Sequence, residues 1–396
     1  MRFNPWRGIA DLPRGIWIVF AATLINRAGT MALPFLVLYL TQSLGFAPTQ
    51  AGLAMALYGG GSLVAGPLSG WLCDRVGPLW VIQSSLVMSG TFLAIFPLAQ
   101  SYTIILAMTF LWAVVGEAYR PAGAAFLSDL VPPRQRNAAY ALYRLAVNLG
   151  MSIGPLVGGL LASRVSYPSL FWVDGATSIL AGVVFAVAHS RVVFPSVPVE
   201  ECAGEVSDLT AWTDLRLLYF MVAIMPVAMV FFQFEGALPL FMVRNLGLSE
   251  SVYGAIFLVN TVLIVLFEVP LNLATSGWPH RRLLALGALL TAVGVGGLVF
   301  TTGVLGIAAT IVVWTFGEMI LMPNSVAYVA DISPQKRRGS YMGVYHVTFS
   351  LAFGIGPWIG TVLLDQFGAT IVWTVAFCAG AISSALLCQI STMPHR

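Results

Sequence analysis

Charge is what this chain has least of. Only 9% of its 396 residues are Asp, Glu, Lys or Arg, while 58% are apolar. Ordinary globular domains carry about 25% charged residues, and a water-soluble surface cannot be covered with so few. Cysteine is also sparse: Cys73, Cys202, Cys378 and Cys388 form no C-x-x-C pair, which leaves neither a disulfide framework nor a zinc site. No P-loop, H-E-x-x-H or G-x-S-x-G occurs, and Gly354-Ile355-Gly356 stands in an apolar run rather than after a strand. An ATP-driven pump is thereby excluded within this chain, and no cofactor, metal or enzymatic activity is implied. The apolar runs also lack the period-two alternation of a barrel strand.

What the chain has instead is apolar runs of about 20 residues, the length that crosses a bilayer as a helix. Twelve are expected, near 16–40, 50–72, 79–99, 103–127, 138–162, 169–189, 214–243, 250–273, 282–302, 305–329, 340–364 and 370–390. With these spans Arg2, Arg7, Arg14, Arg75, Arg134, Arg136, Arg191, Arg216, Arg281, Arg282, Lys336, Arg337, Arg338 and Arg396 fall on one side, and only Arg164 and Arg244 on the other. By the positive-inside rule both termini lie in the cytoplasm, as does the connection at 190–213. That connection carries Pro195, Pro198, Glu200, Glu201, Glu205 and Asp208 and divides an N-terminal bundle, 1–189, from a C-terminal bundle, 214–396. The apolar stretch after the N-terminal arginines is too long for a signal peptide and reads as the first span.

The two bundles repeat one another. Pro121, Asp129, Pro132, Arg136, Tyr143, Gly154-Pro155 and Gly158 recur 202 residues later as Pro323, Asp331, Pro334, Arg338, Tyr345, Gly356-Pro357 and Gly360. Gly45 and Gly52 recur likewise as Gly247 and Gly254. An even number of spans per repeat gives both copies the same orientation, which in transporters sets a substrate path between the halves.

Two motifs carry mechanism. Gly70-Trp71-Leu72-Cys73-Asp74-Arg75-Val76-Gly77 lies in the short loop after the second span. It resembles the G-x-L-x-D-R-x-G loop of the major facilitator superfamily, which implies a cytoplasmic gate at Gly70, Asp74, Arg75 and Gly77. Pro78 and Leu79 replace the basic pair usual after the last glycine, and the second half has no Asp-Arg near Trp278–Arg282. Gly150, Gly154, Pro155, Gly158 and Gly159 resemble the G-x-x-x-G-P-x-x-G-G segment of the superfamily's twelve-span drug:proton antiporters. Glycines four apart make a smooth helix face and the proline removes one backbone bond, so this motif and Gly356-Pro357 are expected to let their helices bend. The Arg that this group carries early in the fourth span is absent; Met108 to Trp112 stand there.

Charges inside the membrane are costly and need a partner, a wet cavity or a function. The chain places Arg27, Arg120 and Arg144, with Glu117, Asp174, Glu235, Glu268 and Glu318, inside its spans. Glu235, Glu318 and Glu117 are candidates for carrying a proton or binding a cationic group, with Arg27 and Arg120 as their basic counterparts; Glu268, Asp174 and His346 read as structural. Phe231, Phe232, Phe234 and Phe241 could line an apolar pocket.

The expected fold is therefore all-α, twelve transmembrane helices in two pseudo-symmetric six-helix bundles. The resemblance implies a secondary transporter of the bacterial inner membrane that exports drug-like amphipathic molecules by alternating access in exchange for protons. A sugar, metabolite or lysolipid exporter is the second reading, and a non-transporting receptor the third. The expected partners are a small-molecule substrate, protons and the lipid bilayer, without nucleic acid, and the chain is expected to act as a monomer.

Overall fold

The structure is a computed structural model and describes residues 12–131, 133–191, 211–275, 277–334 and 337–390. Most of the connection at 190–213 lies outside these residues, as do Arg2, Arg7, Cys202, Lys336 and Arg396. Among the described residues eleven helices are long and apolar enough to cross a bilayer. A further helix, Arg14–Gly29, is shorter and is continued after an interruption by Leu36–Leu38 and a wide turn at Tyr39–Ser43. In chain order the elements are α1 (Arg14–Gly29 with its continuation), α2 (Pro48–Val76), α3 (Pro78–Leu98), α4 (Tyr102–Leu127), α5 (Pro133–Arg164) and α6 (Tyr167–Arg191). The second six are α7 (Leu215–Asn245), α8 (Glu250–Thr275), α9 (His280–Phe300), α10 (Val304–Ile332), α11 (Arg338–Phe367) and α12 (Ala369–Leu387).

Large apolar side chains such as Phe300 and Leu305 are 87% exposed. That is the arrangement of a chain whose outer solvent is lipid, where backbone groups must be satisfied within each helix. Between helices, burying apolar surface then gives little drive, and close approach of backbones takes its place. Gly90 of α3 and Gly175 of α6 meet reciprocally: a Cβ on either would lie 2.6–2.7 Å from the other's carbonyl oxygen.

The chain forms two compact units, one of Met1–Phe35 with Gly60–Glu201, the other of Leu36–Gly59 with Cys202–Arg396. In the first, Ile16, Val19 and Ala22 of α1 pack with Ile82 and Leu86 of α3, Ala122 and Phe126 of α4, and Phe185 of α6. In the second, Phe220 and Ile224 of α7 pack with Leu284 of α9, Tyr328 of α10, Tyr345 of α11 and Leu387 of α12. The second unit also takes in the continuation of α1 and the start of α2. There Thr49 donates to Asp365 of α11 at 2.8 Å, and Gly59 comes against Gly354, where a Cβ would have no room.

The duplication is visible in backbone geometry. Leu44 N–H and Phe46 N–H bond to the carbonyls of Tyr39 and Leu40 after the first wide turn. Leu246 and Leu248 bond to Phe241 and Met242 after the second. Gly45 and Gly247, 202 residues apart, close these turns with φ of 73° and 67°.

Candidate functional site

Some of the candidate residues lie at the interruptions of α1 and α7, each within its own unit. The sequence predicts an unbroken first span; the structure breaks it after Gly29. Pro34 accounts for this, since its ring would clash with the Thr30 carbonyl one turn back and it offers no N–H. Breaking a helix inside a membrane leaves amides that must find other acceptors. The Met31 and Ala32 amides both donate to Asp174 Oδ2 of α6, at 3.1 and 3.0 Å. Asp174 is buried, at 4% exposure.

Gly150, Gly154 and Gly158 of α5 press on the other side of the same stretch. A Cβ on Gly154 would lie 2.5 Å from the Thr30 carbonyl oxygen; on Gly158 it would lie 2.8 Å from Met31 Cβ. A Cβ on Gly150 would run into Arg27. Gly159 is buried beside this seam. The second unit repeats the arrangement. α7 breaks at Phe232–Gly236, and a Cβ on Gly356 of α11 would lie 2.8 Å from the Met229 carbonyl oxygen, just before the break. Gly236 abuts Pro357, and Gln233 donates to the Gly356 carbonyl at 2.6 Å. The Gly-Pro motifs are thus the surfaces on which the broken helices rest. α5 and α11 run on without interruption through Pro155 and Pro357.

Arg27 lies on the last turn before the α1 break, its guanidinium carbon 5.7 Å from the centre of the Tyr119 ring. The Tyr119 hydroxyl is 2.7 Å from Thr23 Oγ1. Glu117 and Arg120 come together: Arg120 Nε is 3.0 Å from Glu117 Oε2, with the arginine side chain 56% exposed and the glutamate 12%. A turn interrupts α4 at Ala118, between Glu117 and the Pro121 region, and Ser69 of α2 donates to the Ala118 carbonyl at 2.8 Å.

The acidic residues of the second unit occupy two places. Glu235 sits in the α7 break, with Tyr253 of α8 as an electrostatic neighbour and the Tyr253 hydroxyl bonded to the Phe234 carbonyl at 2.9 Å. Glu318 of α10 accepts from Asn260 of α8 at 2.8 Å, and the same amide nitrogen donates to Thr315 Oγ1 at 3.0 Å. Thr315 spends its own proton on the Ile311 carbonyl at 2.7 Å, so its lone pair is free to receive Asn260. Glu268, one of the residues read as structural, is an electrostatic neighbour of Glu318. Asn260 and Thr315 were not legible as site residues, though an amide in the apolar run of α8 is the signal that marks one. Phe234 stacks edge-on against Trp314 at 4.5 Å and Phe257 at 4.4 Å, and Phe231, Phe234, Trp314 and Trp373 line a small pocket in this unit.

The gating loop is a single residue. Gly77 joins α2 to α3 with φ of 87°, and Gly70 has open space about it. Arg75 lies 4.1 Å over the Trp71 ring; among the described residues Asp74 is exposed and in no ion pair. At the matching end of the second unit, His280 of α9 bonds Asp331 of α10 at 2.9 Å.

The duplication seen in the broken first helix of each repeat is matched by the family comparison, which covers the chain in two stretches. The family model described as Major Facilitator Superfamily matches residues 18–243 and again 220–393. The chain belongs to the Major Facilitator Superfamily. Among its relatives in the superfamily, a "Na(+), Li(+), K(+)/H(+) antiporter" of Planococcus maritimus is 21% identical over 84% of this chain and 85% of its own length. "Multidrug resistance protein MdtH" of Edwardsiella ictaluri is 24% identical over 89% of this chain and 88% of its own. The crystal structure of a peptide transporter POT mutant with sulfate bound shares the fold, with a TM-score of 0.79 at 15% identity over 97% of both chains. The protein is accordingly a multi-pass membrane transporter of this superfamily, of the kind that moves a small molecule.

Proposed function

We propose that this transporter exports small amphipathic, drug-like molecules by alternating access and is driven by proton antiport. The observation that carries the reading is the carboxylate of Glu318, held inside the second unit by Asn260 and next to Glu268. An intramembrane carboxylate with a neutral hydrogen-bond donor and a second carboxylate as an electrostatic neighbour is suited to accept either a proton or a cationic group, one excluding the other. Glu235, at the α7 break, is the second carrier. Competition between proton and cargo for one carboxylate is the simplest route to antiport. The names of the two relatives, a multidrug resistance protein and a cation/H+ antiporter, support this reading. The bundles 1–189 and 214–396 are proposed as the moving bodies, with Asp74 latching the cytoplasmic side. The excess of arginines on one side supports cytoplasmic termini, and the inner membrane is proposed as the location.

The test is purified protein in proteoliposomes with an imposed pH gradient, using cationic dyes, sugars and lysolipids as separate cargoes. Gradient-driven dye movement is expected for the wild type and is expected to be lost in Glu318→Gln and Glu235→Gln. If both variants keep it, the carboxylates are not the carriers. The second reading, an exporter of a sugar, metabolite or lysolipid without proton coupling, is favoured by Met108–Trp112 standing where antiporters carry an Arg; it predicts movement of those cargoes without a pH gradient.

A further inference from the structure

Asp174 is buried, titratable and unused by the proposed carriers of the second unit. It is also one-sided: the position 202 residues on is Ala376, and the α7 break is braced by the Gln233 amide instead. Both backbone contacts reach a single oxygen, Oδ2, from successive amides just past the end of Arg14–Gly29 and ahead of the helix that resumes at Leu36. Amides freed by a break need an acceptor, and hydrogen bonds to an ionised acceptor are about twice as strong as those to a neutral one.

We propose that Asp174 is a proton-binding site of the first unit whose charge holds the interruption of α1 open. Ionised, it fastens Met31 and Ala32; a proton taken onto Oδ1 leaves Oδ2 a neutral, weaker acceptor and loosens the break. The groups that face it are few. Among the described residues Arg27 of α1 is its one charged neighbour, and Ser178 of its own helix turns its hydroxyl toward it while accepting from Asn26 at 3.0 Å. α3 (Pro78–Leu98) carries no titratable residue, and α5 carries none between Arg144 and Arg164. The seam residues of α5 at this level, Gly154 and Gly158, are apolar, so no second acid or base competes for the proton.

The consequence for the cycle rests on the transporter reading, but the site itself does not. Amide hydrogen exchange of residues 28–36 is measured on the purified protein between pH 8 and pH 5, with Asp174→Asn as the reference. In this variant the amide oxygen replaces Oδ2 and cannot titrate, so it corrects for the ordinary slowing of exchange at low pH. Protection of Met31 and Ala32 in the wild type is expected to fall by about tenfold relative to Asp174→Asn as the pH is lowered, the difference between a charged and a neutral acceptor. Equal pH profiles in the two proteins would overturn the proposal and leave Asp174 a plain cap. Should Asp174→Asn not fold, loss of wild-type protection at Met31 and Ala32 beyond that of the Leu44 and Phe46 amides supports it, and parallel behaviour refutes it. In proteoliposomes, Asp174→Asn is expected to move dye with its pH dependence shifted. If the wild type moves no cargo while the exchange difference is present, the transport reading fails and the Asp174 site stands.

Discussion

Replacing Gly154 by Ala tests the packing of α5 on the broken α1. The added methyl would lie 2.5 Å from the Thr30 carbonyl oxygen and 3.0 Å from that of Arg27. Both are backbone atoms, so no side chain can swing aside, and the two helices must separate or the break must deform. Overpacking of this kind costs about 1–3 kcal/mol. For comparison, Gly66 of α2 has nothing within 4 Å of its would-be Cβ, and Gly66→Ala should be neutral or stabilise by up to about 1 kcal/mol through helix propensity. In a thermal-shift assay in detergent, Gly154→Ala is expected to lower the midpoint by several degrees, at about 2–4 °C per kcal/mol, and Gly66→Ala not at all. Gly356→Ala, whose methyl would lie 2.8 Å from the Met229 carbonyl oxygen, should behave like Gly154→Ala. The two costs should add in the double variant to within about 0.5 kcal/mol, because the sites share no neighbours. A Gly154→Ala protein as stable as wild type would refute the seam; one equally stable but inactive would show α5 to be a hinge after all.

Two further outcomes follow from groups near the membrane ends. Burial pushes the Asp214 carboxyl up, but hydrogen bonds from Arg216 and Tyr341 outweigh it and hold the group at about 2, below its ordinary value. Its stabilising contribution is therefore present above about pH 4 and lost as pH falls toward 2, so the stability gap between wild type and Asp214→Asn should close over that window in acid-titrated thermal melts. Gly77→Ala forces a side chain into φ of 87°, at about 1–2 kcal/mol. It should slow transport in proteoliposomes more than Gly70→Ala, which meets open space; equal rates would remove Gly77 from the gate.

The twelve spans, the duplication and the Gly-Pro seams could be read from the chain because each is written in local composition or in a fixed repeat. The interruption of α1 could not, although Pro34 and Gly29 were in view, because proline is tolerated inside membrane helices, as Pro67, Pro155 and Pro357 are here. Pro34 opposes the helix, but the acceptor that makes a break tolerable is Asp174, more than 140 residues away, which takes up the freed amides. In the sequence Asp174 reads as structural, since nothing local ties it to residues 31 and 32. Glu117 and Arg120 were legible as a pair by their three-residue spacing, and the structure joins them. Asn260 escaped notice because its value lies in where it sits relative to Glu318, a matter of packing between α8 and α10.

The Thr49–Asp365 hydrogen bond has a consequence for how the protein is made. Its partners are 316 residues apart, so residues 36–59 leave the ribosome long before α11, the helix against which they come to rest. Until α11 is made, Gly52 and Gly59 lack the neighbours they have in the fold, Thr361 and Gly354, and the last helices to emerge complete what the first began. A nascent chain halted before α11 is then an open, exchange-prone intermediate that proteases of the membrane can recognise. Expressed as two separate polypeptides, the halves would each lack a piece: the C-terminal one would carry Gly354 and Asp365 without the segment that covers them.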